Sequence, residues 1–167
     1  MKTNPLPPLS KLHELFEYRD DGVLIRKIDV IGAKRGAVVG TINSSGYLRV
    51  RINYKDYLVH RIIYYMHYGH IDDTMQMDHI DGNRANNRIE NLRLVTYQQN
   101  NYNRKLRKDN TTGIKGVGWN KRAKKYQALI MDNGKHIWLG YYDTLEVAEK
   151  AVKEAREKLH GEYARHK

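Results

Sequence analysis

Residues Met77–Asn103 read MDHIDGNRANNRIENLRLVTYQQNNYN, the densest run of polar, non-lysine side chains in the chain. Asp81-Gly82 is a turn signal, and the asparagines after it suit a loop whose side chains bond to backbone. Leu92, Leu94 and Val95 form a short apolar segment, and Thr96 is placed to cap a helix starting at Tyr97. Asp78-His79 stands just before the tight turn, with Asn91 and Asn100 downstream. Phosphodiester hydrolysis needs an activated water, neutralised phosphoryl charge and a stabilised leaving oxygen. A neutral histidine takes a proton from water near pH 7. A carboxylate and an amide oxygen together hold one hard divalent cation and leave it mostly hydrated. Asp78, His79 and Asn100 supply that inventory. A regular strand points residues 78 and 79 to opposite faces, so the strand must end or twist there for both to serve one site.

Upstream, the first ten residues carry Pro5, Pro7 and Pro8 and read as an extended leader. Residues 11–18 are predicted as a short helix with Leu12, Leu15 and Phe16 on one face. Glycines at 22, 32, 36, 40 and 46 mark a turn-rich β region. Tyr47–Ile52 alternates cleanly, and a polar turn at Asn53–Asp56 leads to a second strand at Tyr57–Val59, a hairpin. His60–Tyr68 has helical spacing at Ile62, Ile63 and Met66, with Gly69 as the stop.

Downstream, residues 104–112 are basic, lack apolar periodicity and read as a linker. Ile114–Trp119, Tyr126–Met131 and Lys135–Tyr142 are predicted strands, with a hairpin turn at Asn133-Gly134. Asp143 and Glu146 form an expected capping box. The helix behind it presents Val147, Ala148, Ala151, Val152, Ala155 and Leu159 on one face, and Gly161 ends it. The fold class is therefore α+β: a hairpin-and-helix region, then a small three-stranded antiparallel sheet on one helix.

Composition narrows the chemistry. The 167 residues include no cysteine, which excludes disulfides, zinc-thiolate sites and cysteine nucleophiles. No stretch approaches the roughly 20 apolar residues that cross a bilayer, so neither a membrane-spanning nor a secreted protein is expected. The net charge of +11 is uneven: residues 1–100 carry 14 basic against 11 acidic side chains, and residues 101–167 carry 16 against 8. A basic half of this size favours a polyanionic partner through counterion release.

The motifs GYLRVRI, YLVHRII, DHIDGNRANNRIENLR and VTYQQN, spread over residues 47–102, resemble the HNH endonucleases of the homing type common in phages. The resemblance implies a ββα-metal site in which Asp78 is a metal ligand, His79 the general base and Asn91 the brace of the histidine loop. Asn100 is implied as the second ligand, with Asn101 the competing position. Asn86 and Asn87 read as turn formers, and His60 as a packing residue or a phosphate contact. One Mg²⁺ or Mn²⁺ ion per site is the implied cofactor.

Residues 111–163 resemble a second family, the AP2 DNA-binding domain, through TTGIKGVGW, KKYQALI, HIWLGYYDTLEVAEKAVKEA and KLHGEYA. That fold lays the open face of its sheet in the major groove, and here Lys115, Trp119, Arg122, Lys125, Tyr126 and Trp138 are the implied contacts. Gly118, Tyr126, Leu129 and Met131 stand where plant members carry Arg, Trp, Glu and Arg, so the plant target sequence does not carry over.

The expected organisation is an HNH domain over 1–103 with its ββα-metal core at 77–103, a basic linker at 104–112 and an AP2-like domain at 113–167. The expected function is a DNA endonuclease acting on double-stranded DNA as a monomer, nicking and homing-type. Its expected place is the cytoplasm, that of the host cell if a phage encodes it. The alternative is an AP2-type DNA-binding regulator with a vestigial nuclease motif.

Overall fold

The computed structural model describes residues 4–104, 106 and 109–164; parts of the predicted leader and linker lie outside them. By its internal contacts the chain divides into two compact units, residues 1–95 and 96–167.

The first unit opens with α1 (Leu9–Leu15), whose first turn is closed by the Leu12 N–H on the Pro8 carbonyl. The helix predicted to run to residue 18 stops at 15. Phe16 is extended and begins β1 (Phe16–Arg19), which pairs antiparallel with β2 (Val23–Arg26). The Asp20–Gly22 turn makes this hairpin possible, because Gly22 adopts φ +89, a left-handed conformation that costs a side-chain-bearing residue energy. β3 (Thr41–Ile42), β4 (Leu48–Ile52) and β5 (Lys55–Leu58) form an antiparallel sheet with β4 central. As the alternation predicts, Val50 and Ile52 are buried while Arg49 and Arg51 are exposed and share Asp56. α2 (Val59–Tyr68) ends at Gly69, left-handed at φ +77. β6 (Gln76–His79) pairs with β7 (Leu92–Val95), joined by the asparagine-rich loop and a single 3-10 turn at Ile89–Asn91. Leu12, Phe16, Leu24, Val59, Ile62, Ile63 and Leu92 are the heart of one apolar core.

The second unit begins with α3 (Tyr97–Tyr102), capped as predicted by Thr96 and completed by Gln99 in a full capping box. α3 joins this unit because Tyr102 stacks on His160 with ring centroids 3.6 Å apart and gives its hydroxyl proton to Asp132. β8 (Val117–Asn120), β9 (Lys125–Asp132) and β10 (Lys135–Tyr142) form an antiparallel sheet with β9 central. The first strand starts three residues later than predicted, since Gly116 turns at φ +84 and the Ile114 carbonyl is held by Asn110 and the Val117 N–H. α4 (Leu145–His160) covers one sheet face. Its cap is Thr144 rather than Asp143, which instead pairs with Lys125 at 3.0 Å. Its buried stripe is Ala148, Val152, Arg156 and His160, while Val147 and Leu159 of the predicted face are exposed. No helix among the described residues is long and apolar enough to cross a membrane.

Candidate functional site

Asp78 and His79 are the last two residues of β6, opposite Arg93 and Leu92 of β7. Both are buried, at 7% and 3% exposure. The Asp78 carboxylate accepts a hydrogen bond from Arg93 Nε at 3.0 Å, an ion pair largely shielded from water. His79 meets a different set of neighbours. Its Nε2 lies 2.9 Å from Asn87 Oδ1. His60 stands edge-on to its ring, centroids 5.0 Å apart and planes at 82°, and Tyr47 tilts against both imidazoles. Arg84 places its guanidinium 4.8 Å from the Tyr47 ring centroid and donates to the Ser45 carbonyl.

The loop between β6 and β7 is tied by side chains. Asn91, 8% exposed, accepts from the Asp81 N–H and donates to the Asp81 carboxylate and the Asn86 carbonyl. Its own carbonyl receives the Ile80 N–H. Asn86 donates to the other Asp81 oxygen and Asp81 accepts from the Asn83 N–H, so Asp81 and Asn91 together tie the turn that follows His79.

Burial depresses the pKa of both imidazoles. Burial pushes the His60 pKa down to about 3, with repulsion from His79 and Arg61 adding to it. Burial likewise lowers His79, opposed by the Asn87 hydrogen bond and the charges of Asp81 and Asp78. Burial works to raise Asp81, but its bonds from Asn86, Asn83 and Asn91 bring it below the usual carboxylate range.

The implied metal ligands are a carboxylate at 78 and an amide oxygen at 100, hard oxygen donors that fit magnesium or manganese. Asn100 sits within α3 of the second unit, its N–H on the Thr96 carbonyl. Among the described residues there is no cluster of three or more His, Cys, Asp and Glu. A site of one carboxylate and one amide oxygen would leave most of an ion's ligands to water.

In the second unit the register sorts the implied DNA contacts onto two faces. Trp119 pairs with Tyr126 on the side of buried Val117 and Ala128, and Tyr126 packs against the core there. Trp138, opposite Leu129, lies on the face turned away from α4, 52% exposed and edge-on to Tyr141. That open face also carries Asn120, which donates to Gln127 and to the Tyr141 hydroxyl. Arg122 is exposed in the β8–β9 turn, Lys125 pairs with Asp143, and Lys115 Nζ donates to the Tyr102 and Arg104 carbonyls. Sequence reasoning missed Asn87, Arg93, Asn120, Gln127 and Tyr141. Pairing β6 with β7 in register would have exposed Arg93, because it falls opposite Asp78.

Comparison with known proteins is consistent along the chain. Residues 57–102 match the model of the HNH endonucleases and residues 112–162 that of the AP2 domain. Protein 3.8 of Escherichia phage T7 is 38% identical over 97 residues, covering 58% of this chain and 79% of that protein. An uncharacterized HNH endonuclease of Acanthamoeba polyphaga mimivirus is 36% identical over 107 residues, covering 64% of this chain. The match spans 54% of that longer relative. A solved structure described as DNA binding and cleavage by the HNH homing endonuclease I-HmuI aligns over 87% of this chain and 84% of its own, with TM-score 0.41 and 20% identity.

Proposed function

Because the chain belongs to the HNH endonuclease family and carries an AP2 domain, we propose that it is a metal-dependent endonuclease that hydrolyses a phosphodiester bond of double-stranded DNA. The observation that carries this reading is the buried His79 beside Asp78 at the end of β6, followed by a turn that Asn91 and Asp81 tie together. His79 accepts the proton of the attacking water, and Asn91 holds the loop that sets its position. As the family resemblance implies, Asp78 and Asn100 would hold one Mg²⁺ or Mn²⁺ ion. When bound, that ion neutralises charge on the phosphoryl and leaving oxygens. The AP2 sheet and the basic segment before it grip duplex DNA, with Arg122 and Lys125 toward phosphates and Trp138 on the open face. One such site per chain nicks one strand per binding event when the protein acts as a monomer, in a homing-type role. The place of action is the cytoplasm of the cell that holds the target DNA.

The alternative, a DNA-binding regulator with a vestigial nuclease motif, is favoured by one observation: the Asp78 carboxylate is engaged by Arg93. Supercoiled plasmid with Mg²⁺ or Mn²⁺ separates the two. Wild type is expected to nick it, while His79→Ala does not nick yet still retards DNA in a gel. Binding without nicking by wild type under either ion would establish the regulator, and equal nicking by both proteins would remove His79 from the mechanism.

A further inference from the structure

We propose that Asn87 is the positioning residue of the catalytic histidine, its side-chain oxygen accepting the Nε2–H of His79 and so selecting which imidazole nitrogen faces the water. The inference rests on the reading of His79 as the base.

Four observations carry it. Asn87 is 1% exposed, the most buried polar side chain described, although it sits in a surface loop of otherwise turn-forming residues. Its Oδ1 lies 2.9 Å from His79 Nε2, within hydrogen-bond distance of a second buried group. Its Nδ2 is buried with no hydrogen-bond partner among the described residues. An orphaned buried amide N–H is unfavourable, so what the carboxamide contributes here is its oxygen. Finally, the neighbouring Asn86 already supplies the loop-closing bonds, to Asp81 and to the Arg88 N–H, which leaves Asn87 no part in shaping the turn.

The consequence is a defined tautomer. A neutral imidazole carries one N–H and one lone pair on its two nitrogens. With Nε2–H given to Asn87, the lone pair lies on Nδ1, and that atom receives the water proton. His60, packed edge-on at 5.0 Å, limits rotation of the ring about this bond.

The test uses the full chain labelled with ¹⁵N-histidine, read by long-range ¹H–¹⁵N imidazole spectra at mildly alkaline pH, where imidazoles are neutral. Wild-type His79 is expected as the Nε2–H tautomer alone, and Asn87→Leu as a mixture of both. In plasmid nicking, Asn87→Leu is expected to lower kcat about 10- to 100-fold, the usual effect of losing an orienting partner, with KM within about 2-fold. Asn87→Asp, which keeps the acceptor, should recover much of the single-tautomer signal. An Nδ1–H tautomer in wild type, or an unchanged tautomer in Asn87→Leu, overturns the assignment. The wild-type spectrum decides even if Asn87→Leu fails to fold. A wild type that holds the Nε2–H tautomer but nicks no DNA would sink the nuclease reading while leaving the His79–Asn87 bond in place.

Discussion

At the scale of single residues the site is a set of buried polar groups whose partners decide their chemistry. A base acts only when deprotonated, and burial holds the His79 pKa below its usual value. The nicking rate is therefore expected to rise with pH, to half-maximum below the ordinary histidine value of about 6.5, and to level off above it. A pH–rate profile whose acid limb lies above that value would contradict the burial argument. His60 affects stability in the same direction. Its pKa is about 3 folded, so between its unfolded value and pH 3 the unfolded chain binds a proton that the native state refuses. Its contribution is whole above about pH 6.5 and is lost as pH falls toward 3, a loss on the order of a few kcal/mol. His60→Phe should flatten that acid limb in thermal melts. Arg93 pairs with the carboxylate that the nuclease reading gives to the metal. Removing one member of a buried pair strands the other, typically at about 3–5 kcal/mol. Arg93→Gln should thus melt lower than wild type without metal and show a larger rise in Tm on adding Mn²⁺. An equal or smaller rise would show that Arg93 and the ion do not share Asp78.

At the scale of elements, what the sequence disclosed was local. The β4–β5 hairpin, α2 with its Gly69 stop, the Thr96 cap and the β9–β10 hairpin each depend on residues a few positions apart and each forms, although β5 begins at Lys55 rather than Tyr57 and Val59 opens α2. Thr96→Ala should destabilise the second unit by about 1 kcal/mol in chemical denaturation, the usual cost of a lost N-cap. The expectations that failed depend on partners far along the chain. Phe16 and Tyr18 have helical spacing with Leu12 and Leu15, yet they pair with β2. The stripe of α4 turns so that Arg156 and His160 are buried, because the Lys115 and Met131 carbonyls on other segments accept their hydrogen bonds. A hydrophobicity pattern has no way of recording those acceptors. Asp78 and His79 stood out as a carboxylate–imidazole pair before a turn, and Asn91 was drawn in by the family resemblance. Asn87 did not stand out, since nothing in NN distinguishes an asparagine that closes a turn from one buried against an imidazole.

At the scale of the molecule, charge and chemistry are divided between the two halves of the sequence, with the basic excess in residues 101–167 and the histidine loop before it. If phosphate contacts dominate affinity, and about 6–10 of them form, binding should weaken by at least about 10³-fold between 50 and 200 mM salt in a gel-shift titration. A flat salt response would argue against an electrostatic grip. Trp138→Ala, on the exposed sheet face, should weaken binding and leave the melting temperature nearly unchanged. The N-terminal hairpin has a role of its own. A methyl group built on Gly22 would fall 2.5 Å from the Arg88 nitrogen and 2.9 Å from the Asn87 carbonyl carbon. The Tyr18 hydroxyl, meanwhile, accepts the Ile89 N–H. A screen for inactive variants that still hold DNA should therefore return Gly22 and Tyr18 alongside His79, although neither carries a group able to act on a phosphate ester. The opening segment of the chain serves as the anvil against which the imidazole's partner is pressed.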